Sequence, residues 1–315
     1  MTTTLNKKPL LSICIPTYNR ADVLKKCLDS IIYSPVFSDD IEVIISDNNS
    51  NDNTCYTIYE YTQTYSNVKY YRNPTNIGFD NFINVLELAT GKFRKLHNDY
   101  SIFTSQGLLQ IYNIVKLHEK TEPIILFGNW GNNVINYNYF TDLDALIDYG
   151  RITFGWIGLY GFWENDFLQL QNKKAKKETL FMQLDWFLRI FMRKKKCYFY
   201  FFNYVERGDF REPQGGYDFF TTHITKYLSI FREYYNSNYL SKITWDKLNF
   251  YVFCYMLNWI DKLFILNSKN KFSYDKTLPF HLMFKTFGKY FWFYPHVLKY
   301  IFHALKLYIN TNRMN

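Results

Sequence analysis

The first third of the chain alternates short apolar runs with stretches of helical periodicity, and polar turns separate the two. Residues 10–16 and 41–46 are apolar runs typical of strands buried on both faces, and residues 20–33 place apolar side chains at helical spacing between them. The same pattern continues with strands at 68–71 and 93–96 and a helix at 79–89. This alternation predicts an α/β fold with a mostly parallel sheet flanked by helices.

The second half of the chain gives weaker signals and reads as more helical. We predict a buried strand at 123–127 and helices at 105–119, 141–149, 179–192, 245–267 and after Pro295. No clear repeat or linker divides this half.

The composition is that of a globular chain. It has 315 residues, of which 48% are hydrophobic, enough to bury a large core. The five cysteines are scattered without a C-x-x-C pair, so we expect no disulfide framework or zinc site, and a reducing, cytoplasmic setting. Residues 1–9 are polar and are not expected to be a signal peptide. No apolar stretch approaches the roughly 20 residues that span a bilayer, so we do not expect an integral membrane protein.

The net charge of +9 is concentrated in basic runs at 173–177 and 193–196. Such runs are usually solvated faces, and the remaining interpretations are contact with nucleic acid, anionic lipid or phosphate-bearing substrates. Neither run is interleaved with aromatic residues in a recognisable motif, which argues against a nucleic-acid-binding protein.

Polar side chains follow each of the first four predicted strands. They are Thr17, Tyr18, Asn19 and Arg20, then Asp47, Asn48 and Asn49, then Arg72, Asn73 and Asn76, and last His97, Asn98 and Asp99. Ligands of open parallel sheets bind at the carboxyl ends of the strands, so these residues predict a binding site. The sequence has no G-x-G-x-x-G after the first strand and no P-loop motif, which argues against a dinucleotide-binding Rossmann protein and a P-loop NTPase.

These residue types are suited to binding a nucleotide. Asp47 accepts hydrogen bonds of the kind a base donates, Tyr18 offers a face for stacking, and Arg72 offsets phosphate charge. His97 and Asp99 suit Mg²⁺ or Mn²⁺ against a diphosphate, with Mn²⁺ favoured by the imidazole. We then expect activity to fall below about pH 6 as His97 protonates. The alternative for each residue is a role in a structural loop network.

Four sequence blocks carry a resemblance to a known family. They read SICIPTYNRADVLKKCLDSI, EVIISDNNSNDNT, YYRNPTNIGFDNF and LELATGKF, and they follow one another within residues 10–103. In this order and spacing they resemble the family 2 glycosyltransferases of the GT-A fold. The resemblance implies an enzyme that moves a sugar from a nucleotide-sugar donor with inversion, the donor being held by a Rossmann-like half at 1–103.

The resemblance also assigns candidate site residues. Those expected at the nucleotide are Pro16, Thr17, Tyr18, Asn19, Arg20, Asp47, Asn48, Arg72, Asn76, Gly78 and Asn98. The metal group corresponds to Asp99 and His97, although family members usually carry two or three aspartates there and only Asp99 matches.

An inverting transfer also needs a general base for the acceptor hydroxyl. The family usually draws it from a helix start some 80 to 100 residues after the metal group, where this chain has Asp185. The structural alternative for Asp185 is an ion pair with Arg189 one turn later. Glu164 and Asp166 are the second choice.

From this resemblance we expect a catalytic domain at 1–220, with the acceptor side at 104–220, and a helical, aromatic-rich extension at 221–315. The expected acceptor is a glycan, lipid-linked as in capsule or lipopolysaccharide synthesis, at the inner face of the bacterial plasma membrane. The rival function is a catalytically silent GT-A module that binds nucleotide-sugar or glycan.

Two further segments leave alternatives open. Residues 204–217 are polar and read as a lid over the donor or as an ordinary surface loop. The helix after Pro295 carries His296, Lys299, His303 and Lys306 beside a broad apolar face. That pattern suits a helix lying on an anionic membrane, and equally one packed on the catalytic domain.

Overall fold

The computed structural model describes residues 8–208, 217–265 and 278–313. The strands are β1 (Leu11–Thr17), β2 (Ile41–Asp47), β3 (Val68–Arg72), β4 (Phe93–Leu96), β5 (Ser101–Phe103), β6 (Ile124–Gly128), β7 (Asn136–Phe140), β8 (Gly161–Trp163), β9 (Cys197–Phe201) and β10 (Val205–Arg207). The helices are α1 (Ala21–Ile32), α2 (Thr54–Thr64), α3 (Asn81–Leu88), α4 (Gly107–His118), α5 (Leu143–Gly150), α6 (Glu164–Leu168), α7 (Met182–Lys194), α8 (Tyr227–Asn236), α9 (Lys242–Ile260), α10 (Leu278–Phe287) and α11 (Phe293–Arg313). Turns of π-helix at Thr221–Lys226 and Asp261–Ile265 adjoin α8 and α9.

The central sheet has the strand order β3-β2-β1-β4-β8. The first four strands are parallel, and β8 runs antiparallel to β4. In this register Thr17 lies beside Asp47, and Asp47 lies beside Arg72, so the carboxyl ends of β1, β2 and β3 meet at one edge. Every residue of β2 is buried, as its apolar run predicts. The predicted mostly parallel α/β sheet is therefore confirmed.

Two smaller sheets complete the strands. One has the order β6-β9-β7, in which β6 is parallel and β7 antiparallel to β9. The other pairs β5 with β10 in antiparallel fashion. Of these strands the sequence predicts only β6.

The predicted helix at 79–89 differs from the structure at its start. A 3-10 turn at Gly78–Asp80 precedes α3, and Gly78 has φ +61°. Glycine adopts this left-handed conformation at no steric cost, which lets the N-P-T-N-I-G turn reverse sharply into the helix.

The chain divides into two compact units. The first is Met1–Thr141, Trp156–Lys177 and Met182–Phe210, and the second is Asp142–Gly155, Glu178–Phe181 and Arg211–Asn315. The strands named above lie in the first unit, and α5 and α8–α11 lie in the second. The predicted domain boundary after residue 220 stays a prediction.

Aromatic packing and polar contacts hold the second unit together. Tyr227 lies edge-on to Phe231 with ring centroids 5.2 Å apart, and its hydroxyl donates to the Arg151 carbonyl at 2.5 Å. Lys247 on α9 pairs with Asp148 on α5 at 2.6 Å. Across the described parts of both units, no helix combines the length and the apolar character needed to cross a bilayer.

Candidate functional site

The loops after the parallel strands start at one edge of the sheet and bond to one another there. The amide of Asn48 donates to the Thr17 carbonyl at 2.8 Å, and the amide of Asn73 donates to the Asp47 carbonyl at 2.8 Å. The amide of His97 donates to the Cys14 carbonyl at 2.9 Å, which brings the loop after β4 to the same edge. The structure thus brings together the predicted polar groups of all four strand ends.

Asp99 is a buried carboxylate at this edge. The Thr17 hydroxyl donates to its Oδ2 atom at 2.9 Å, and both residues are buried. Burial raises the pKa of Asp99 to about 6, against the lowering effect of the Arg20 guanidinium and of the Thr17 hydrogen bond. The carboxyl group therefore changes its charge close to neutral pH.

Asn98, beside Asp99, has an amide nitrogen with no hydrogen-bond partner among the described residues, although the residue is only 8% exposed. Buried donors are nearly always paired with protein, water or a ligand. This nitrogen is therefore available to donate to water or to a ligand.

His97 is held in a structural environment. Its Nε2 atom lies 2.9 Å from the Ser101 carbonyl, and its ring stacks on Phe103 with centroids 4.4 Å apart. Burial, reinforced by nearby Lys95, lowers the pKa of His97 to about 3. The expectation that His97 titrates near pH 6 is therefore wrong, because the ring stays neutral well below that pH.

A metal at this site would have one carboxylate ligand from the chain. The described residues contain no cluster of three or more His, Cys, Asp or Glu side chains that could hold a metal ion alone. Mg²⁺ bound to nucleotides commonly uses only one or two carboxylates together with the substrate phosphates and water. Asp99 fits that mode of binding. The His97 ring contacts Ser101 and Phe103, and neither contact places it beside Asp99.

Asp47 is fully buried, and its carboxylate is already bonded within the protein. Its Oδ1 atom accepts from the amide and the hydroxyl of Ser50 at 2.9 and 2.5 Å, and its Oδ2 atom accepts from the Tyr70 hydroxyl at 2.7 Å. Sequence reasoning places this carboxylate against a base. These bonds anchor the loop after β2 to β3, and contact of Asp47 with a base stays a prediction.

Asn48 organises the turn after β3. Its amide nitrogen donates to the Asn76 side chain at 2.7 Å and to the Gly78 carbonyl at 3.2 Å. Its oxygen accepts from the Ile77 amide at 2.8 Å and from the Asn73 side chain at 3.2 Å. The sequence does not predict this asparagine network. The feature that indicates it is the high density of asparagine after β2 and β3.

Arg72 and Asn19 are fixed over the same loop. Arg72 is exposed, and its guanidinium donates to the Asn49 side chain at 3.0 Å and to the Ser50 carbonyl at 2.7 Å. The Asn19 amide donates to the Ser50 hydroxyl at 2.8 Å, and Asn19 has φ +52°. Tyr18, which is 42% exposed, precedes it. A cation and an aromatic face are thus open to solvent at the loops of this edge.

Pro16 is the partly buried residue of β1, one position before its carboxyl end. Arg20 directly precedes α1, and its backbone amide donates to the Thr54 hydroxyl at 3.1 Å. Both therefore lie on the segment that leads from β1 into the first helix.

Asp185 lies in the first turn of α7 and is buried. Arg189 pairs with it at 2.8 Å, so the ion pair named as its structural alternative is formed. Since an ion pair does not prevent a carboxylate from accepting a proton during a reaction, Asp185 stays a candidate.

Glu164 and Asp166 lie at the other end of the sheet. Because β8 is antiparallel to β4, Glu164 follows β8 at the amino end of β4, where its amide donates to the Lys92 carbonyl at 2.8 Å. Its carboxylate accepts from Arg94 at 2.8 Å, and Asp166 pairs with Arg193 at 2.7 Å. Their proposed role as the base does not suit this position, and we do not retain it.

The predicted lid at 204–217 is described only at its ends. Residues 209–216 lie outside the described residues. Before them, β10 pairs with β5, and the Gly208 amide donates to the Tyr100 carbonyl at 2.7 Å.

The loops at this edge lie in a region of the chain that matches a known protein family. The model of the family described as Glycosyl transferase family 2 matches residues 12–154. Among curated proteins, the abequosyltransferase RfbV of Salmonella typhimurium is 43% identical over 86 residues, which are 27% of this chain and 26% of that protein. The poly(ribitol-phosphate) beta-glucosyltransferase of Bacillus spizizenii is 29% identical over 108 residues, 34% of this chain and 17% of that protein. The matches thus span about a quarter or less of these two relatives.

Solved structures share the fold over more of the chain. S. aureus TarS 1-349 in complex with UDP-GlcNAc has a TM-score of 0.53 and 16% identity, covering 76% of this chain and 70% of that one. The mannosyltransferase PcManGT from Pyrobaculum calidifontis, in complex with GDP-Man and Mn²⁺, has a TM-score of 0.50 and 13% identity, covering 96% and 87%. At these identities the likeness concerns the fold, which is of the GT-A type.

Proposed function

We propose that the chain, whose residues 12–154 match the model of the family 2 glycosyltransferases, transfers a sugar from a nucleotide-sugar to a hydroxyl of a glycan acceptor. The observation that carries the proposal is the edge where the buried Asp99 carboxylate accepts from Thr17 and the preceding residue, Asn98, has an unpaired amide. A buried acid and a buried free donor at the strand ends of an open sheet suit a charged, hydrogen-bonding ligand.

The nucleotide is proposed to bind over the loops after β1, β2 and β3. Tyr18 supplies an exposed aromatic face, and Arg72 an exposed cation for phosphate. Asp47 and Asn48 act behind them by holding those loops in place. In this proposal the exposed groups bind the donor, and the buried groups pre-organise the loops that carry them.

Asp99 is the residue proposed to hold Mn²⁺ or Mg²⁺. When bound, a divalent ion offsets the charge that develops on a leaving diphosphate. The Thr17 hydroxyl orients the carboxylate by occupying its Oδ2 atom. The Mn²⁺ present with GDP-Man in the PcManGT structure supports a metal in this fold.

The transfer is proposed to invert the anomeric carbon. The acceptor oxygen forms a bond to that carbon as the carbon–oxygen bond to the diphosphate breaks, and the nucleoside diphosphate leaves. The hydroxyl proton passes to a carboxylate, for which we propose Asp185. Arg189, paired with Asp185, keeps that carboxylate oriented.

The acceptor is proposed to be a lipid-linked surface glycan at the inner face of the bacterial plasma membrane. The basic net charge of +9 suits an acceptor that carries phosphate. One relative is named a poly(ribitol-phosphate) beta-glucosyltransferase, which supports an acceptor that carries phosphate.

A donor screen tests the proposal. UDP-, GDP-, CDP- and dTDP-sugars are compared by thermal stabilisation of the chain with Mn²⁺ present, and we expect one nucleotide class to stabilise it. Asn98→Ala should weaken the effect, whereas Asn165→Ala, an exposed asparagine of α6 at the opposite end of the sheet, should not. No stabilisation by any donor would refute the proposal, and stabilisation without sugar release or transfer would favour the catalytically silent module.

A further inference from the structure

Helices α10 and α11 expose large apolar side chains to solvent. Phe280 and Phe284 on α10 are 58% and 60% exposed, and Phe302 on α11 is 73% exposed. Phe291, in the turn between the two helices, is 90% exposed. Contiguous exposed apolar surface of this kind marks a site of contact with a protein or a membrane.

The exposed apolar residues of α11 form a stripe along the helix. They are Tyr294, Leu298, Ile301, Phe302, Leu305 and Ile309. Their spacing of three and four residues puts them on one face. A helix that packs on a domain core buries this face, whereas in α11 the face is open.

An apolar groove continues the stripe between α10 and α11. It has a volume of about 550 Å³, and its lining includes Ile260, Met283, Phe284, Val297, Ile301 and Leu305. The Tyr300 hydroxyl donates to Asp261 at 2.7 Å, which holds α11 to the end of α9. Because Ile301 and Leu305 belong to both the stripe and the groove lining, the two form one surface, which we call the α10–α11 surface.

The charge of this segment has a single sign. Residues 278–313 contain four lysines and one arginine and no aspartate or glutamate. Lys299 and Lys306 are exposed beside the apolar stripe of α11. An amphipathic helix that lies in a membrane interface combines these features, an apolar face next to lysines that meet anionic headgroups.

The basic runs noted in the sequence are less suited to this contact, because many of their charges are paired. Lys174 and Lys177 both lie within 3.0 Å of Asp80, and Lys194 pairs with Asp166. Their charge is partly neutralised within the protein, unlike the charge along α11.

We propose that the α10–α11 surface docks on an anionic lipid bilayer. Leu298, Phe302 and Leu305 enter the interface, and Lys299 and Lys306 contact the headgroups. The inference deepens the proposed function, on which it rests for its purpose, by naming the surface that brings the domain to a lipid-linked acceptor. The docking itself needs neither donor nor metal.

Vesicle flotation tests the docking. The full chain is mixed with vesicles of phosphatidylcholine alone or of phosphatidylcholine with phosphatidylglycerol, and the floated fraction is measured at low and high salt. We expect binding to the anionic vesicles only, weakened by salt because exposed charges are screened over about 8 to 10 Å. Binding to neither vesicle would overturn the proposal.

Matched variants assign the surface. Leu298→Asp with Phe302→Asp should reduce the bound fraction by more than about tenfold, because two large apolar side chains leave the interface. The control, Tyr33→Asp with Tyr56→Asp, changes two exposed aromatics of the first unit and should bind as the wild type does. Undiminished binding of the α11 variant would overturn the proposal, as would a concentration-dependent dimer that the α11 variant abolishes.

Thermal stabilisation by the donor distinguishes a failure of the docking surface from a failure of the proposed function. The α11 variant should keep its response to nucleotide-sugar, which also shows that it is folded. Loss of vesicle binding with this response intact supports the docking surface. A chain that binds vesicles but no donor would refute the proposed function and leave the docking in place.

Discussion

The hydroxyl of Thr17 donates a hydrogen bond to the carboxylate of Asp99 across 2.9 Å. The two residues are 82 positions apart in sequence, and the pairing of β1 with β4 brings them together. Because the acid is buried, its charge is poorly solvated, and burial raises its pKa to about 6. The chemistry and the stability of the domain should therefore both respond to the charge of Asp99.

Donor binding should weaken in mild acid through Asp99. A metal ligand must be deprotonated, and the ionised fraction of Asp99 falls as the pH drops through about 6. At about pH 5 we expect Mn²⁺-dependent affinity for the nucleotide-sugar to be about tenfold lower than at about pH 7. Calorimetric titration across this range checks the profile, and Asp99→Asn should flatten it. An unchanged affinity at both pH values would remove Asp99 from the metal site.

Asp99→Asn should stabilise the ligand-free protein above about pH 6. A carboxyl group whose pKa is raised by folding destabilises the fold once it is ionised, and the cost disappears below its unfolded pKa near 4. Two pKa units correspond to at most about 3 kcal/mol. The thermal midpoint of the variant should thus exceed that of the wild type at about pH 7.5, with a smaller gap at about pH 4.5. A lower midpoint for the variant at the higher pH would contradict this account.

Asp47→Ala should lower both the stability of the chain and its affinity for donor. The change leaves two groups of Ser50 and the Tyr70 hydroxyl without their acceptor, at about 1 to 3 kcal/mol for each buried group. We expect donor affinity to fall by about tenfold as the loop after β2 loosens. Tyr70→Phe removes one partner only and should have a smaller effect on both. Loss of affinity with full stability would indicate instead that Asp47 contacts the nucleotide directly.

Asp185→Asn should impair turnover and spare donor binding. The variant keeps the shape of the side chain but no longer accepts a proton, which for a general base costs about 100-fold or more in kcat. Glu164→Gln is the matched control, because Glu164 lies at the amino end of β4 and should keep near wild-type kcat. Turnover of Asp185→Asn within about twofold of the wild type would leave its ion pair with Arg189 as its only role.

The part of the fold that sequence predicts best is the part with strong periodicity. Strands β1 and β2 are rich in apolar residues because both faces are buried, so their runs stand out from the residue types alone. By contrast, most residues of β7 are exposed and it alternates asparagine with aromatics, so no burial pattern marks it. Short strands such as β8 and β10 span only three residues and carry too little pattern to be recognised.

The sequence predicts where the candidate site lies, but not the role of each residue in it. The polar strand ends fall at one edge because parallel pairing requires it. That Asp47 faces Ser50 and Tyr70 depends on how the loop folds back, which residue types alone do not reveal. Glu164 has the side chain of a general base, and only the antiparallel direction of β8 removes it from the site.

The release of nucleoside diphosphate from nucleotide-sugars, compared for the wild type and Asp99→Asn with Mn²⁺ or with excess EDTA, tests the central claim most directly. The account predicts that the wild type with Mn²⁺ releases nucleoside diphosphate from one class of donor, more quickly when a glycan acceptor is added. EDTA and Asp99→Asn should each reduce that rate by about 100-fold or more, since a divalent ion offsets the charge of the leaving diphosphate. A wild-type rate in excess EDTA equal to that with Mn²⁺, an Asp99→Asn rate equal to that of the wild type with Mn²⁺, or no release from any donor by the wild type would contradict it.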